Sequence, residues 1–188
     1  NKLDCKFLSN AIANQIYNLT SGIVSRQLKI FAVIGASEES VILMLSSLFL
    51  GAHHSICFED LSEDAILERI KIFDPDIIIS KKNIYKKIDS ISKRYKSIPK
   101  YYIDLNFKDK DLNPIFNLDT SNYYPDANLF TLFTSGSTGK PKAVIHSVKK
   151  YLNYAQFTTN YYFGIKKFST IFTATDAGWI NGHTYAFY

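Results

Sequence analysis

Short apolar segments alternate with helix-like segments along residues 28–105, and this alternation restricts the fold more than any other feature of the chain. The short segments are rich in β-forming residues, and residues 77–79 are all isoleucine. Such segments are typical of strands buried on both faces of a sheet. Strands of this kind joined by helices predict an α/β protein with a mainly parallel sheet flanked by helices. The predicted strands are residues 29–34, 55–58, 77–79 and 101–105, with predicted helices at 38–50 and 62–73 and a lysine-rich helix before the last strand.

Turn and capping residues mark the ends of these helices. Gly51 follows the first helix, at a position where glycine commonly ends a helix. Ser62 is a candidate N-cap for the second helix. The sequence Asp74-Pro75-Asp76 ends that helix, because proline lacks the N–H group that a helix needs.

The chain divides into four predicted parts. A leading helix within residues 1–27, strongest at 7–19, is expected to pack outside the sheet, and residues 28–105 form the alternating unit. Residues 106–125 contain the prolines and asparagines of a loop and are predicted to be a linker. Residues 126–188 form a second unit, with predicted strands at 129–133, 144–146 and 170–174 and a predicted helix at 148–162.

Composition excludes several classes of protein. The chain has 188 residues, 46% hydrophobic and 21% charged, which suits one globular domain with a sizeable core. No apolar run approaches the roughly 20 residues of a membrane span, so no membrane association is expected. Two cysteines are too few for a disulfide framework, and a reducing cytoplasm is the expected location. The adjacent His53 and His54 point to opposite faces of a strand, so no metal site is expected.

Positive charge is concentrated in residues 81–100, which hold eight of the 22 lysines and arginines and only one anion, Asp89. A solvated helix face is the expected interpretation. The alternative is a non-catalytic module that binds nucleic acid or an acidic partner through this segment. Tyr85 and Tyr95 are the only aromatic residues there, too few for the stacking platform of single-strand binders. Nucleic-acid binding is therefore not expected.

Four of the eight glycines lie in two short segments, and the first segment, residues 134–142, combines glycines with hydroxyl groups and lysines. Glycines let backbone N–H groups turn toward oxygens, hydroxyl groups donate further hydrogen bonds, and ammonium groups offset negative charge. This combination predicts polyphosphate binding, although the glycine spacing and Pro141 exclude a Walker A loop. A flexible serine-glycine turn is the alternative. The predicted phosphate-binding residues are Thr134, Ser135, Gly136, Ser137, Thr138, Gly139, Lys140 and Lys142.

Three segments resemble those of a known enzyme superfamily. Residues 133–146 resemble the phosphate-loop signature of adenylate-forming enzymes, which include acyl-CoA synthetases, luciferases and peptide-synthetase adenylation domains. Residues 173–183 are similar to a narrower signature of the acetyl-CoA and propionyl-CoA synthetase branch, which residues 48–69 also resemble. The resemblance covers most of residues 28–188. It implies that the chain is part of the large N-terminal domain of such an enzyme.

The resemblance implies a ligase that uses a small carboxylic acid, ATP with Mg2+, and CoA. The carboxylate attacks the α-phosphate of ATP and releases pyrophosphate, and the CoA thiol then displaces AMP from the acyl-adenylate. Positioned cations and N–H groups stabilise the charge that develops on the phosphate oxygens. Residues 134–142 would hold the β- and γ-phosphates, with Lys142 as the principal catalytic cation. His146 and His183 receive no general-base role, because attack by a carboxylate removes no proton.

The second motif implies where the acyl group and CoA lie. Trp179, Ile180 and Asn181 would line the acyl pocket where it meets the pantetheine tunnel, and an acid of roughly two to four carbons is expected. Core packing is the alternative for Trp179, the only tryptophan. Lys86 and Lys87 are candidate ligands for a CoA phosphate.

The sequence departs from the family pattern at two places. Ala143 stands where a glycine usually closes the loop, and Glu59-Asp60 replace a glycine pair near CoA, where carboxylates repel phosphates. A carrier protein therefore stays open as an alternative acyl acceptor. The adenine and ribose motifs, the hinge and the C-terminal domain with its catalytic lysine lie beyond Tyr188, so we expect a piece of the enzyme that is inactive alone. The sequence does not specify the acid, the acceptor or the oligomeric state.

Overall fold

The computed structural model describes residues 2–20, 26–103, 126–135 and 139–188. Its centre is a six-stranded sheet with the strand order β4-β3-β1-β2-β5-β6. The first five strands along the chain are parallel to their neighbours, and β6 runs antiparallel to β5. The predicted mainly parallel sheet is confirmed. The strands are β1 Lys29–Val33, β2 His53–Cys57, β3 Ile77–Lys81, β4 Lys100–Ile103, β5 Asn128–Thr134 and β6 Lys142–Ser147.

Helices cover both faces of the sheet, as the buried alternating strands require. Ile30 of β1 shares a buried cluster with Ile12 and Ile42 from the first two helices, whereas Phe31 lies in the opposite cluster with Ile66 from the third. The helices are α1 Lys2–Leu19, α2 Glu38–Phe49, α3 Glu63–Phe73, α4 Tyr85–Arg94 and α5 Val148–Tyr161, with a short 3-10 turn at Lys82–Ile84 and a π-helix at Gly182–Phe187.

The predicted helix boundaries have clear local causes in the structure. The Ser62 hydroxyl accepts a hydrogen bond from the Ala65 N–H group and so caps the start of α3. Asp74 ends α3 in the left-handed region at a φ of 52°. Gly51 follows α2 at a φ of +59°, which an L side chain would strain. The sequence signals for both helix ends are therefore confirmed.

The strand predicted at residues 170–174 is wrong. These residues carry neither helix nor strand, and within the described part of the chain no strand pairs with them. Phe172 is 91% exposed, so the apolar run is not part of the core. Apolar composition alone predicted the strand, but a strand also needs a neighbour for its backbone hydrogen bonds. The predicted linker, residues 106–125, lies outside the described residues.

Carboxylates neutralise much of the basic segment at residues 81–100. Lys81 lies 3.3 Å from Glu59, and the Arg94 guanidinium lies 2.6 Å from Asp64 of α3. Asp89 pairs with both Lys93 and Lys100, and Asp74 pairs with Lys96. The segment is therefore a network of ion pairs on a helix surface, with most of its charge already balanced by the chain itself.

Among the described helices, none combines the length and apolar character that crossing a membrane requires.

Candidate functional site

The loop between β5 and β6 begins and ends on paired strands. Thr134, the last residue of β5, lies opposite Lys142, the first residue of β6, so the two strands hold the base of the loop. Gly139 has a φ of +77°, a conformation that favours glycine. Ala143 lies inside β6, where an extended backbone accepts any side chain, so its replacement of a glycine introduces no strain. The predicted ligands Gly136, Ser137 and Thr138 lie outside the described residues.

The described part of this loop is polar and open. Ser135, Lys140 and Lys142 are exposed, and among the described residues neither of the two ammonium groups forms an ion pair. These cations contrast with those of the basic segment at residues 81–100, most of which are paired. Two exposed cations next to a hydroxyl group can approach an anionic ligand without first breaking an internal ion pair.

The loop belongs to an edge of the sheet where several other loops meet. Because β1, β2, β3 and β5 run in the same direction, the segments that follow them lie at one edge, here called the carboxyl edge. In open α/β sheets, ligands bind at this edge. Residues 34–37 follow β1, residues 58–62 follow β2, and the loop at residues 135–141 follows β5.

The predicted acyl-pocket residues lie on a turn that reaches this edge. Trp179 is 62% exposed and Ile180 is 38% exposed, and Asn181 is also exposed, so none of the three is a core residue in the described structure. Packing in the core of this chain therefore does not account for Trp179. The Trp179 ring lies 5.9 Å from the Phe58 ring, centre to centre, directly after β2.

Two glycines allow this turn to pack closely. A Cβ atom at Gly178 would lie 2.6 Å from the Phe58 ring, and one at Gly182 would meet the backbone of Asp176. The turn also forms internal hydrogen bonds, from the Trp179 N–H group to the Asp176 carbonyl and from the Gly182 N–H group to the Trp179 carbonyl. We call residues 176–183 the Trp179 turn.

Two carboxylates accept hydrogen bonds from the backbone of residues 35 and 36, directly before α2. An Asp176 oxygen accepts the Ala36 N–H group at 2.7 Å, and a Glu59 oxygen accepts the Gly35 N–H group at 2.7 Å. Glu59 also lies 3.3 Å from the Lys81 ammonium group. The Glu59 charge is thus partly offset, which reduces the repulsion that it would exert on a phosphate. Sequence reasoning assigned no role to Asp176.

The candidate CoA-phosphate ligands Lys86 and Lys87 differ in their surroundings. The Lys87 ammonium group donates hydrogen bonds to the carbonyl groups of Glu59 and Leu61, which holds the segment after β2 in place. Lys86 is exposed. Of the two, Lys86 has the freer approach to a ligand, and Lys87 already has partners within the chain.

Two buried histidines connect the Trp179 turn to β2. The Nε2 atoms of His54 and His183 lie 3.4 Å apart, within hydrogen-bonding distance, and the two rings are nearly parallel. His183 Nδ1 lies 3.3 Å from the Trp179 carbonyl oxygen. Burial lowers the pKa of His183 to about 4 and holds the pKa of His54 well below its ordinary value. Both rings are neutral near pH 7.

His53 lies on the other face of β2, as its position next to His54 predicts. Its ring packs against Phe73 of α3, and its Nε2 atom lies 2.8 Å from the Thr131 hydroxyl oxygen. Burial lowers its pKa to about 4.

Within the described residues, no group of three or more histidine, cysteine, aspartate or glutamate side chains could hold a metal ion.

These histidines predict a loss of stability in mild acid. In the unfolded chain, histidines take up protons as the pH falls below about 6.5. In the folded chain, His53 and His183 do so only near pH 4, and burial holds the pKa of His54 well below its ordinary value. The free energy of unfolding should therefore fall as the pH is lowered from about 6.5 to about 4, by up to about 1.4 kcal/mol per pH unit for each histidine. Urea titrations across this range measure the slope.

A variant separates the histidines from other acid effects. His183→Gln should make the slope between pH 6.5 and pH 4 shallower, whatever it does to stability at pH 7. Hydrogen bonds from lysines lower the pKa values of Asp74 and Asp89. Protonation of these two carboxylates therefore reduces stability only at lower pH. A free energy of unfolding that is constant over the window would contradict the neutral, buried state of these rings.

Comparisons with known proteins agree with this geometry. The model of the family described as AMP-binding enzyme matches residues 8–188. Acetyl-coenzyme A synthetase 2 of Debaryomyces hansenii is 34% identical over 81% of this chain and 26% of that protein. Acetyl-coenzyme A synthetase of Wolinella succinogenes is 32% identical over 80% of this chain and 27% of that protein. The chain thus spans about a quarter of the length of these relatives.

Solved structures support the same fold. Acetoacetyl-CoA synthetase from Streptomyces lividans aligns with a TM-score of 0.76 at 16% identity, over 94% of this chain and 30% of that chain. The luciferase-like enzyme from the mealworm Zophobas morio aligns with a TM-score of 0.75 at 23% identity, over 96% of this chain and 43% of that chain. At these identities the alignments establish the fold, and the family match together with the curated relatives establishes the kinship. The chain belongs to the AMP-binding enzyme family.

Proposed function

We propose that this chain supplies the phosphate loop and one wall of the acyl pocket in an AMP-forming acyl-CoA synthetase that activates a short carboxylic acid. The observation that carries the proposal is the position of the two motifs. Thr134 and Lys142 form the base of the loop at the carboxyl edge of the sheet, and among the described residues the ammonium groups of Lys140 and Lys142 form no ion pair. The Trp179 turn reaches the same edge through the hydrogen bond from the Ala36 N–H group to Asp176, and the Trp179 side chain is exposed. A nucleotide held by the loop could thus react with an acid held beside Trp179.

In the first step, a carboxylate oxygen bonds to the α-phosphorus of ATP and the bond from that phosphorus to the bridging oxygen breaks. Negative charge then accumulates on the departing pyrophosphate. Lys142 and Lys140 would offset this charge, and the hydroxyl groups of Thr134 and Ser135 would donate hydrogen bonds to the β- and γ-phosphate oxygens. Gly136, Ser137, Thr138 and Gly139 would contribute backbone or hydroxyl donors in the same loop.

Mg2+ would enter with ATP, as the counter-ion of its phosphate oxygens. Within the described residues, no group of three or more histidine, cysteine, aspartate or glutamate side chains could hold the ion by itself. In the second step, the CoA thiol attacks the acyl carbon, AMP leaves with the bonding electrons, and the thiol proton is lost. Lys86 is the better placed of the two proposed phosphate ligands for CoA, since Lys87 donates to backbone carbonyls.

The proposed acid is short because the wall residues are large. Trp179 and Ile180 would limit the depth of the pocket, and Asn181 would offer an amide to a polar group of the acid or to an amide of CoA. The opposite wall would come from the remainder of the longer protein, since the relatives are about four times as long as the aligned segment. An acid of roughly two to four carbons fits this reading.

A panel of acids tests the proposal in the longer protein that contains this chain. Exchange of labelled pyrophosphate into ATP should depend on added acetate or propionate and decline toward octanoate. Ile180→Ala should shift the preference toward longer acids by about 1 to 3 kcal/mol, the usual effect of methylene-sized changes in a pocket. The thermal midpoint of unfolding, measured alongside, separates this effect from lost packing.

Two outcomes would count against the proposal. Strong preference of the unmodified protein for octanoate, or an Ile180→Ala profile like that of the unmodified protein, would remove Ile180 from the acyl pocket. Acyl transfer to the pantetheine group of a carrier protein, with no transfer to free CoA, would retain the first step and replace the proposed acceptor.

A further inference from the structure

The carboxylate of Asp176 links two segments that are far apart in the sequence. One oxygen accepts the Ala36 N–H group at 2.7 Å, and the other accepts the Gly178 N–H group at 2.8 Å. Ala36 lies between β1 and α2, 140 residues earlier in the chain. Hydrogen bonds from N–H groups to an ionised carboxylate are stronger than those between neutral groups, and the amino end of a helix favours negative charge.

This link determines where the Trp179 turn can lie. The Trp179 N–H group donates to the Asp176 carbonyl at 3.0 Å, so the backbone of Trp179 follows that of Asp176. The Trp179 side chain itself is 62% exposed, and its ring is tilted against the Phe58 ring, so burial in the core does not hold it. The side chain that lines the proposed pocket is thus positioned mainly through the backbone of its own turn.

An adjacent carboxylate offers a matched comparison. Glu59 accepts the Gly35 N–H group, one residue before Ala36, at the same distance of 2.7 Å. A Cβ atom at Gly35 would lie 3.4 Å from a Glu59 oxygen and 3.9 Å from an Asp176 oxygen, so both carboxylates occupy the same neighbourhood. Among the described residues, the Glu59 side chain forms no hydrogen bond to the Trp179 turn, and the other partner of its carboxylate is the Lys81 ammonium group.

We propose that Asp176 is a positioning residue, whose two hydrogen bonds fasten the Trp179 turn to the segment before α2 and so set the position of the acyl-pocket wall. The first half of this proposal concerns the turn alone, and the second half rests on the proposed function. An asparagine at this position keeps one carbonyl oxygen but presents an NH2 group to the second N–H group, so it can accept only one of the two hydrogen bonds.

Fluorescence tests the first half directly, because Trp179 is the only tryptophan in the chain. In Asp176→Asn, the emission of Trp179 should shift to longer wavelength and acrylamide should quench it more efficiently than in the unmodified chain. Glu59→Gln removes a charge from the same neighbourhood and should leave both quantities unchanged. Far-ultraviolet circular dichroism and the thermal midpoint report whether each variant is folded.

A second variant removes the same hydrogen bond from the donor side. Ala36→Pro lacks the N–H group that Asp176 accepts, and Asp176 itself is unchanged. It should reproduce the fluorescence change of Asp176→Asn, which keeps the test open if the first variant does not fold. Emission and quenching that are the same in Asp176→Asn, Ala36→Pro and Glu59→Gln would overturn the proposal.

Kinetics of the longer protein test the second half. In pyrophosphate exchange, Asp176→Asn should raise the KM for the acid about tenfold and leave the KM for ATP nearly unchanged, as expected when one charge-assisted hydrogen bond is lost at the acid side of the site. Equal changes in both KM values would overturn a specific effect on the pocket wall. If Asp176→Asn changes the Trp179 signal but none of the acids supports pyrophosphate exchange by the longer protein, the positioning role would be supported and the proposed function overturned.

Discussion

Replacing Lys142 with alanine should weaken the binding of ATP far more than the binding of AMP. The Lys142 ammonium group is exposed at the base of the loop, opposite Thr134, and among the described residues it forms no ion pair. A charge-assisted hydrogen bond contributes about 1.5 to 3 kcal/mol, so the dissociation constant for ATP should rise roughly 10-fold to 150-fold. AMP lacks the β- and γ-phosphates and should be little affected. Equilibrium titration with each nucleotide measures both constants.

A second lysine provides the control for this experiment. Lys149 is exposed on the first turn of α5, and Lys149→Ala removes the same charge from the same half of the chain. Lys149→Ala should change the dissociation constant for ATP only slightly. Lys142→Arg should retain part of the affinity for ATP that Lys142→Ala loses. Equal weakening of ATP and AMP by Lys142→Ala, or equal effects of the two alanine variants, would show that Lys142 does not contact the terminal phosphates.

Adding a methyl group at Gly178 should displace the Trp179 turn. The new Cβ atom would lie 2.6 Å from the Phe58 ring, closer than carbon atoms approach without movement of one of them. Overpacking of this kind costs about 1 to 3 kcal/mol of stability. Because small displacements of a substrate wall reduce catalysis strongly, acid-dependent pyrophosphate exchange in Gly178→Ala should fall on the order of 100-fold.

The Phe58 ring itself supplies the control. Phe58→Ala removes the atoms that the new methyl group would meet, so the double variant Gly178→Ala/Phe58→Ala should be more stable than the sum of the two single effects predicts. Unfolding curves of the four proteins give this coupling energy. Strict additivity of the two changes would mean that Gly178 and Phe58 do not restrict each other, and that the glycine serves some other purpose.

Local patterns allowed much of the fold to be predicted from sequence. The isoleucine run of β3 lies inside the sheet, and Ser62 caps α3 through the Ala65 N–H group. Each of these features depends on residues that are close together in the chain. The predicted strand at residues 170–174 failed for the opposite reason, since a strand needs a partner elsewhere, and exposed Phe172 shows that none covers it among the described residues.

The same distinction applies to the site. The loop at residues 134–142 and the exposed Trp179 could be found from their motifs, because each is a continuous segment. The contacts that hold the Trp179 turn could not, because they join distant residues: Asp176 with Ala36 across 140 positions, and His183 with His54 across 129. Carboxylate and histidine side chains occur widely in proteins, so no local pattern distinguishes these from others.

The most direct test of the central claim is to locate where ATP contacts the isotope-labelled 188-residue chain, from the amide chemical shifts of its residues. ATP should shift the amide signals of Ser135, Gly139, Lys140 and Lys142, and AMP at the same concentration should leave them largely unchanged, because the loop holds the β- and γ-phosphates. Equal shifts with both nucleotides, or ATP-induced shifts confined to the lysine-rich helix α4, would contradict it.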